Sequence, residues 1–219
     1  MRAGDIISTH ISVVDVGSTV RDCLDVINEN GLDSMVVVKD GVYYGVITKQ
    51  QCAECEDADT VLGDIALRTP AVQSKAHIIE ALGLLTGHSL RNLAVVDVEN
   101  HYLGSITSAD VLQAVSTICN ATHPGAVIEL EMLPEDYSIT EISRLIEDNH
   151  CKLITLFSYP HPTTGMLHLL IRTNCEDATA ILQSFERYGY RVIATYYPQG
   201  RIDERAEQRL RELMYYLEM

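Results

Sequence analysis

The sequence predicts a mixed α/β (α+β) protein: two tandem β-α-β-β-α units, then a ferredoxin-like βαββαβ domain and a C-terminal helix. Three observations predict this fold class. The first third of the chain matches itself after a shift of 58 residues. Residues 126–198 alternate strand and helix patterns in a different order. The final segment, residues 201–219, has the composition of one strong helix.

The repeat is defined by apolar positions that recur at a constant distance. The 58-residue shift aligns six pairs: Val14 with Val72, Val20 with Ile78, Leu24 with Leu82, Ile27 with Leu85, Val37 with Val95, and Val38 with Val96. After the turns DGVYYG and VENHYLG the shift becomes 59, because hairpin turns tolerate an extra residue. Each copy reads as a short strand, an amphipathic helix, two β-rich strands and a second helix starting at Thr48 or Thr107.

Composition and charge narrow the class of protein. The 219 residues are 47% hydrophobic and 21% charged, which is ordinary for a globular chain of one or two domains. No apolar run reaches the roughly 18 residues of a membrane span, and MRAGDIISTH lacks a signal-peptide pattern. We therefore expect a cytoplasmic protein. Its six cysteines, which lack dense spacing, are expected to be mostly reduced, buried thiols.

The formal net charge is −15, and every part of the chain is acidic. The charge is −9 over residues 1–122 (7 basic, 16 acidic), −5 over 123–200 (5 basic, 10 acidic) and −1 over 201–219 (4 basic, 5 acidic). No basic surface is available to neutralise the phosphates of a nucleic acid or of an anionic membrane. We therefore expect the protein to bind neither nucleic acid nor an anionic membrane.

The motif that closes each copy carries a family resemblance. It is GSITSADV at residues 104–111 and GVITKQQC at residues 45–52. Two tandem units with a Val-Val strand, a turn and this G-h-I-T-x-x-D pattern resemble a pair of CBS domains, a Bateman module, over residues 5 to about 119. We place the first CBS unit at residues 1–59 and the second at residues 60–122.

The resemblance implies a ligand and a site. In that family two units stack about a pseudo-two-fold axis and bind adenosine-containing ligands such as AMP, ADP, ATP or S-adenosylmethionine. The family's threonine and aspartate contact phosphate and ribose, and they correspond here to Thr107 and Asp110. The other implied nucleotide-binding residues supply backbone and apolar contacts to the base or line the pocket: Thr69, Ala71, Val72, Ile106 and Ser108.

The residue chemistry allows two interpretations of Asp110. An ionised carboxylate accepts both hydroxyl protons of a ribose diol, and a helix start suits a phosphate. The same T-x-x-[DEQ] pattern also caps a helix, and Thr48 with Gln51 satisfies that need in the first unit. Gln51 cannot offer two anionic acceptors. We therefore expect a working site to be built around Asp110, with the first cleft empty or holding something else.

The cations of the paired units are few, which bears on the number of phosphates in the ligand. The candidates for contact with a phosphate are Arg68, Arg91, Lys49, Lys75 and the histidines at 10, 77 and 88. An acidic module with sparse cations favours adenosine, AMP or a positively charged sulfonium over a free triphosphate.

The segment after the linker at His123-Pro124-Gly125 has a β-α-β-β-α-β pattern. Ser138 is expected to cap its first helix and Gly189 to end its second. This segment resembles an ACT domain, placed at residues 124–200. ACT domains often bind amino acids at dimer interfaces through a glycine after the first strand. The loop LPEDYSI has no glycine there, so oligomerisation is favoured over amino-acid binding.

The C-terminal helix at residues 201–219 carries one apolar seam: Ile202, Ala206, Leu210, Leu213 and Leu217. It packs on its own domain or forms a dimer contact. A CBS pair followed by an ACT domain in this length resembles the acetoin-utilisation AcuB-type regulatory proteins. From that resemblance we carry over ligand sensing and not the acetoin pathway.

Other motifs are interpreted as structural. Cys52 and Cys55 form a lone CxxC inside a predicted helix, at positions matching Val111 and Ala114, so buried small residues are favoured over a zinc or redox site. The acidic run from Glu54 to Asp59 is expected to be a solvated linker. No P-loop, GxSxG or GxGxxG motif is present, so we expect no catalytic residue.

The primary hypothesis is a non-catalytic regulatory sensor of an adenosyl ligand. The alternatives are an oligomerisation scaffold with degenerate ligand pockets and an amino-acid sensor acting through the ACT-like domain. No resident cofactor or metal is expected beyond a regulatory adenine nucleotide or S-adenosylmethionine. The expected partners are that small molecule, further copies of the chain in a homodimer or higher homo-oligomer, and an unidentified regulated protein.

Overall fold

The computed structural model describes residues 1–8, 13–65, 67 and 70–198. The chain divides into two compact units, Met1–Ile118 and Cys119–Met219. The helix predicted for residues 201–219 lies outside the described residues. In the described ranges, no helix combines the length and the apolar character needed to cross a bilayer.

The first unit contains the predicted repeat, and its two copies have the same order of elements. The first copy consists of β1 (Val13–Asp15), α1 (Val20–Asn30), β2 (Ser34–Lys39), β3 (Val42–Thr48) and α2 (Lys49–Glu54). The second consists of β4 (Ala71–Gln73), α3 (Ile78–Gly87), β5 (Asn92–Val96), β6 (Tyr102–Thr107) and α4 (Ser108–Ile118). Each copy forms one three-stranded sheet, β1-β2-β3 or β4-β5-β6. The predicted β-α-β-β-α units are confirmed.

The strand register repeats as well as the element order. Val14 lies opposite Val37 in the parallel pair β1–β2, and Val72 lies opposite Val95 in β4–β5. A bulge interrupts β2–β3 after Val37, and another interrupts β5–β6 after Val95. The 58-residue periodicity of the sequence therefore extends to individual rungs of the two sheets.

The segment before each copy packs against the other copy. Residues Ala3–Ile6 form a 3₁₀ turn on the second copy, where Ala3 N–H donates to the Ala76 carbonyl at 2.9 Å. Leu62–Asp64 form the matching turn on the first copy, where Leu62 N–H donates to the Ser18 carbonyl at 2.9 Å. This exchange makes the two copies one compact unit.

Matched positions of the two copies meet across a pseudo-two-fold axis. At one end the buried side chains of Ser34 and Asn92, which are 58 residues apart, hydrogen-bond to each other. At the other end the hairpins pair reciprocally. Tyr43 N–H donates to the Asn100 carbonyl and Tyr102 N–H donates to the Gly41 carbonyl, both at 2.9 Å.

The core of the first unit also joins the copies. Val36, Tyr43 and Val46 of the first copy belong to the same buried cluster as Val72 and Ile106 of the second. A second cluster, around Val20, Ile27 and Leu62, fills the space under the helices of the first copy. The larger cluster therefore forms only when both copies are present.

The second unit is an antiparallel sheet covered on one face by two helices. Its elements are β7 (Val127–Met132), α5 (Ile139–Asp148), β8 (Leu153–Pro160), β9 (Leu167–Thr173), α6 (Thr179–Arg187) and β10 (Arg191–Tyr196). The strand order β10-β7-β9-β8 is that of a ferredoxin-like fold. Ser138 accepts a hydrogen bond from Glu141 N–H at the start of α5, and Gly189 follows α6 with a positive φ of 81°. Both predicted helix ends are confirmed.

The cysteines differ from the expectation. Cys151 and Cys175 form a disulfide, so the prediction of reduced thiols is wrong for this pair. The two residues are 24 apart in sequence, and the register that brings them together depends on the sheet. Among the free cysteines, Cys23 and Cys52 are buried, whereas Cys55 and Cys119 are partly exposed.

We predict that Asn92→Ala destabilises the first unit by about 2 kcal/mol, because it removes two hydrogen bonds from the buried Ser34 and leaves its hydroxyl without that partner. Urea unfolding should show a lower midpoint with an unchanged m-value. Asn28→Ala is the matched control, since the Asn28 side chain is exposed on α1 and accepts a hydrogen bond from the exposed Lys49 ammonium. A loss equal to that of the control would show that the Ser34–Asn92 contact contributes nothing to the packing of the copies.

Candidate functional site

The site predicted around Asp110 is a tight turn between β6 and α4. The Thr107 N–H and hydroxyl both donate to Asp110 Oδ2, at 2.8 and 2.7 Å. In return, Asp110 N–H donates to Thr107 Oγ1 at 3.1 Å. Both residues are partly buried. The exposed Ser108 begins the helix, and its N–H donates to the Arg91 carbonyl at 2.8 Å.

The same capping arrangement occurs twice in the first copy. Thr48 donates to Gln51 Oε1 from its N–H at 3.1 Å and from its hydroxyl at 3.0 Å. Thr19 donates to Asp22 Oδ2 at 3.1 and 2.8 Å in the same way. Capping is therefore a sufficient structural role for Asp110 Oδ2. The hydrogen bonds of the Asp110 carboxylate to described residues all run through that oxygen.

The other predicted site residues fall into two groups. Val72 and Ile106 are fully buried in the core cluster of the first unit, so their side chains lie beneath the surface. Ala71 is half-buried. It lies opposite Ala94, which in turn lies opposite Ser105, and Ser105 is two residues before Thr107 on β6. Strand spacing and rise place the Ala71 and Thr107 Cα atoms on the order of 12 Å apart.

Thr69 lies outside the described residues, so the candidate site is built from the remaining six predicted positions. The structure brings Ile106, Thr107, Ser108 and Asp110 together at one turn. It places Ala71 and Val72 two strands away in the same sheet. These six positions therefore extend from the start of α4 along the sheet to the rung of Val72, Val95 and Gly104.

A cleft of about 270 Å³ opens beside Ala71, between the two copies. It is lined by Tyr43, Tyr44, Ala71, Gln73, Val96 and Asn100. The Tyr43 hydroxyl donates to the Pro70 carbonyl at 2.9 Å, next to the segment expected to contact a base. Burial raises the pKa of Tyr43, so its phenol remains a donor at neutral pH.

Five lining residues of this cleft were not predicted as site residues: Tyr43, Tyr44, Gln73, Val96 and Asn100. Two of them belong to the first copy and three to the second, and they meet because the hairpins pair across the pseudo-two-fold axis. The alignment of DGVYYG with VENHYLG is the sequence signal that could have indicated their proximity.

Two of the cationic candidates, Arg91 and Lys49, contact other side chains. Arg91 Nε lies 2.8 Å from Asp33 Oδ2, and these two residues occupy matched positions of the repeat. Lys49 Nζ donates to Asn28 Oδ1 at 2.7 Å. Arg68 and His10 lie outside the described residues. The acidic partner of Arg91 reduces the positive potential available to a phosphate at the start of α4.

One group of described side chains could ligate a metal ion: Asp97, Glu99 and His101, in the exposed turn between β5 and β6. The Asp97 carboxylate already accepts from Glu99 N–H and His101 N–H, both at 2.9 Å. The hydrogen bond from the His101 backbone, with others in the turn, lowers the pKa of Asp97. These contacts give the group a role in forming the hairpin turn.

The CxxC cysteines are only partly as predicted. Cys52 is buried, but α2 ends at Glu54 and leaves Cys55 half-exposed at the helix end, so the expectation of two buried residues is wrong for Cys55. Cys23 and Cys52 are both buried in the second cluster of the first unit. Interaction with the Cys52 thiol and burial raise the pKa of the Cys23 thiol, whereas the interaction with Cys23 lowers the pKa of the Cys52 thiol.

Comparison with known proteins identifies the repeated unit. The family model described as CBS domain matches residues 3–55 and again residues 62–117. An uncharacterized protein from Methanocaldococcus jannaschii is 24% identical over 120 residues, covering 52% of this chain and 44% of that protein. The chain therefore spans less than half the length of this curated relative.

Several solved structures are similar to about half of the chain. A CBS domain pair/ACT domain protein from Thermotoga maritima is 25% identical, with a TM-score of 0.49, covering 53% of this chain and 98% of that one. CBSX2 of Arabidopsis thaliana, solved with AMP, is 24% identical with a TM-score of 0.45, covering 53% and 97%. The cytosolic domain of the Mg²⁺ channel MgtE, solved with ATP, is 22% identical with a TM-score of 0.46, covering 52% and 48%.

We predict that Asp110→Ala lowers the free energy of unfolding by about 1 kcal/mol, because it removes both acceptor contacts to Thr107. Asp110→Gln should stay within about 0.5 kcal/mol of wild type, since glutamine makes the same cap in the first copy. Urea unfolding measures both values. Asp22→Ala, at the matching cap of α1, is the control. Equal losses for the alanine and glutamine variants at position 110 would contradict a capping role.

Proposed function

Since residues 3–55 and 62–117 of this chain form a pair of CBS domains, we propose that the protein is a non-catalytic regulatory sensor. Its ligand belongs to the adenosyl class of AMP, ADP, ATP and S-adenosylmethionine. The ligand binds in the second copy, with Thr107 at the phosphate, Asp110 at the ribose and the segment from Thr69 to Val72 at the base. No resident cofactor is part of this proposal.

The observation that carries the proposal is the difference between the two matched turns. Both have the same cap, but the second places an ionisable carboxylate where the first has the amide of Gln51. A cap uses one acceptor oxygen, and a carboxylate has a second one with two lone pairs. Asp110 Oδ1 is suited to accept both hydroxyls of a ribose diol while Oδ2 holds the helix start.

The charge of the site favours a ligand with few phosphates. The first 122 residues carry 7 basic and 16 acidic residues, and the Arg91 guanidinium is paired with Asp33. Ser108 N–H, one of the first donors of α4, is bonded to the Arg91 carbonyl rather than pointing to a ligand. These contacts favour AMP, adenosine or a sulfonium over a free triphosphate.

Binding acts on the packing between the copies. Tyr43 of the first copy reaches the base-contacting segment through its bond to the Pro70 carbonyl. A ligand bound to that segment therefore lies beside the hydrogen bond between Tyr43 and Pro70 that joins the copies. It shifts the equilibrium between two packings to the extent that it prefers one of them. The ACT-like second unit passes that shift to a homo-oligomer or to a regulated protein.

A second candidate function is an oligomerisation scaffold whose ligand pockets are degenerate. The observation that favours it is the cap formed by Thr19 and Asp22, which reproduces the contacts of Thr107 and Asp110 at a turn with no ligand assigned. The amino-acid sensor through the second unit is a third candidate. In its loop, Pro134–Asp136 form a 3₁₀ turn where a glycine was expected.

The test is a thermal-shift panel of AMP, ADP, ATP, adenosine, S-adenosylmethionine and NADH on wild type, Asp110→Gln and Asp22→Gln. A ligand of the native state at a hundredfold excess over its dissociation constant raises stability by about 2.7 kcal/mol. We expect one adenosyl ligand to stabilise wild type and Asp22→Gln. We expect no stabilisation of Asp110→Gln, which keeps the cap and loses the anionic acceptor.

Each other outcome selects a different candidate. No shift in cooperatively melting wild type would support the scaffold. An equal shift in all three proteins would show that the ligand binds away from Asp110. ATP stabilising more than AMP without magnesium would contradict the inference of few phosphates.

A further inference from the structure

We propose that Cys151 and Cys175 are a site of reversible thiol–disulfide exchange that fastens the start of the second unit. The two residues are bonded in the structure, with their Cα atoms 5.8 Å apart. They continue the antiparallel pairing of β8 with β9, in which Leu153 lies opposite Thr173. The pair therefore closes one end of the sheet, where β8 is an edge strand.

This pair differs from the other cysteines in accessibility. Cys23 and Cys52 are free thiols that are buried in the core of the first unit. Cys151 is also buried, with 5% exposed, but Cys175 is partly exposed in the loop after β9. An incoming thiolate can therefore reach the disulfide from the Cys175 side, whereas the core thiols are shielded from solvent.

The disulfide clamps the segment that enters the second unit. The Cys175 carbonyl accepts from Ala126 N–H at 2.8 Å, and Thr173 N–H donates to the Ala126 carbonyl at 3.0 Å. Gly125 has a φ of +151°, and an added Cβ would lie 1.8 Å from the Thr173 carbonyl oxygen. Arg172 Nη1 donates to the His123 carbonyl at 2.7 Å. Residues 123–126 therefore contact the end of β9 and the loop after it, where Cys175 is covalently linked to Cys151.

The exchange needs two equivalents of a low-molecular-weight thiol of the glutathione class. The thiolate of the first attacks the Cys175 sulfur, the protein S–S bond breaks, and Cys151 leaves as a thiolate that takes a proton. The second thiol attacks the mixed disulfide and releases Cys175 as a thiol. The protein gains two electrons and two protons, and the two small thiols are oxidised to their disulfide. Oxidised glutathione reverses both steps.

Reduction removes the covalent link between the loop after β9 and the start of β8. The remaining contacts of residues 174–178 include backbone hydrogen bonds, three side-chain hydrogen bonds and the burial of Ala178 in the core of the second unit. The side-chain bonds run from Lys152 N–H to Asn174 Oδ1, from the Thr173 hydroxyl to the Cys175 carbonyl and from Thr179 N–H to Asp177 Oδ1. Residues 174–178, and the Ala126 amide that depends on Cys175, then open more often. The ligand site of the first unit plays no part in this proposal.

The first experiment labels thiols in the native, full-length protein. The protein is held in reduced or oxidised glutathione, quenched with an alkylating reagent and mapped by peptide mass spectrometry. Cys151 and Cys175 are expected to label only after reduction and to re-form their bond in oxidised glutathione. Cys23 and Cys52 should stay unlabelled throughout. Labelling that appears only together with Cys23 and Cys52, upon unfolding, would overturn the proposal.

The second experiment measures amide hydrogen exchange in the oxidised and reduced protein. Exchange at Ala126 and residues 174–178 is expected to rise about tenfold on reduction, while helix α3 of the first unit stays unchanged. Cys151→Ser with Cys175→Ser should reproduce the reduced pattern without a reductant, and Cys119→Ser is the matched control. If the double variant does not fold, wild type in reductant decides. Unchanged exchange in both segments would overturn the proposal.

Discussion

The packing of the two CBS copies about their pseudo-two-fold axis is the constraint on which the rest of the first unit depends. A single three-stranded sheet with two helices would expose apolar faces that neither copy can cover alone. The reciprocal hairpin hydrogen bonds and the buried Ser34–Asn92 contact fix the relation of the copies at both ends of the axis. The exchanged leading segments add further contacts. The cleft beside Ala71 follows from this packing, because its lining comes from both copies.

The turn around Asp110 has the same helix cap as two other turns of the first unit. Three threonines in the first unit, Thr19, Thr48 and Thr107, cap helices with the same set of hydrogen bonds. These bonds satisfy backbone N–H groups at the helix start that have no partner within the helix. The three turns differ in the chemical group that the capping side chain carries. Gln51 has an amide, Asp22 an exposed carboxylate and Asp110 a partly buried one. Asp110 is the one of the three that is both an ionisable carboxylate and partly buried.

The second unit is held by different means. Its sheet is covered by α5 and α6 on one face, around Ile128, Ile142 and Phe185. The disulfide lies at the end of that sheet where the chain enters β7. The disulfide closes a loop of about 25 residues, and this crosslink reduces the conformational freedom of the unfolded chain. The close approach of Gly125 to the Thr173 backbone indicates that the entering segment is packed tightly at the same place.

The sequence by itself determined the repeat, the order of elements, the helix caps at Thr48, Thr107 and Ser138, and the ferredoxin-like pattern of the second unit. These features depend on periodicity and on contacts within three or four residues, which a sequence displays directly. Tertiary structure alone decided the exchange of the leading segments, the tyrosines of the cleft, the pairing of Arg91 with Asp33, the disulfide and the half-exposed Cys55. Each of these depends on the register between strands, on packing between copies or on where a helix ends. Those are set by the energy of the whole core, because many distant contacts must be satisfied together.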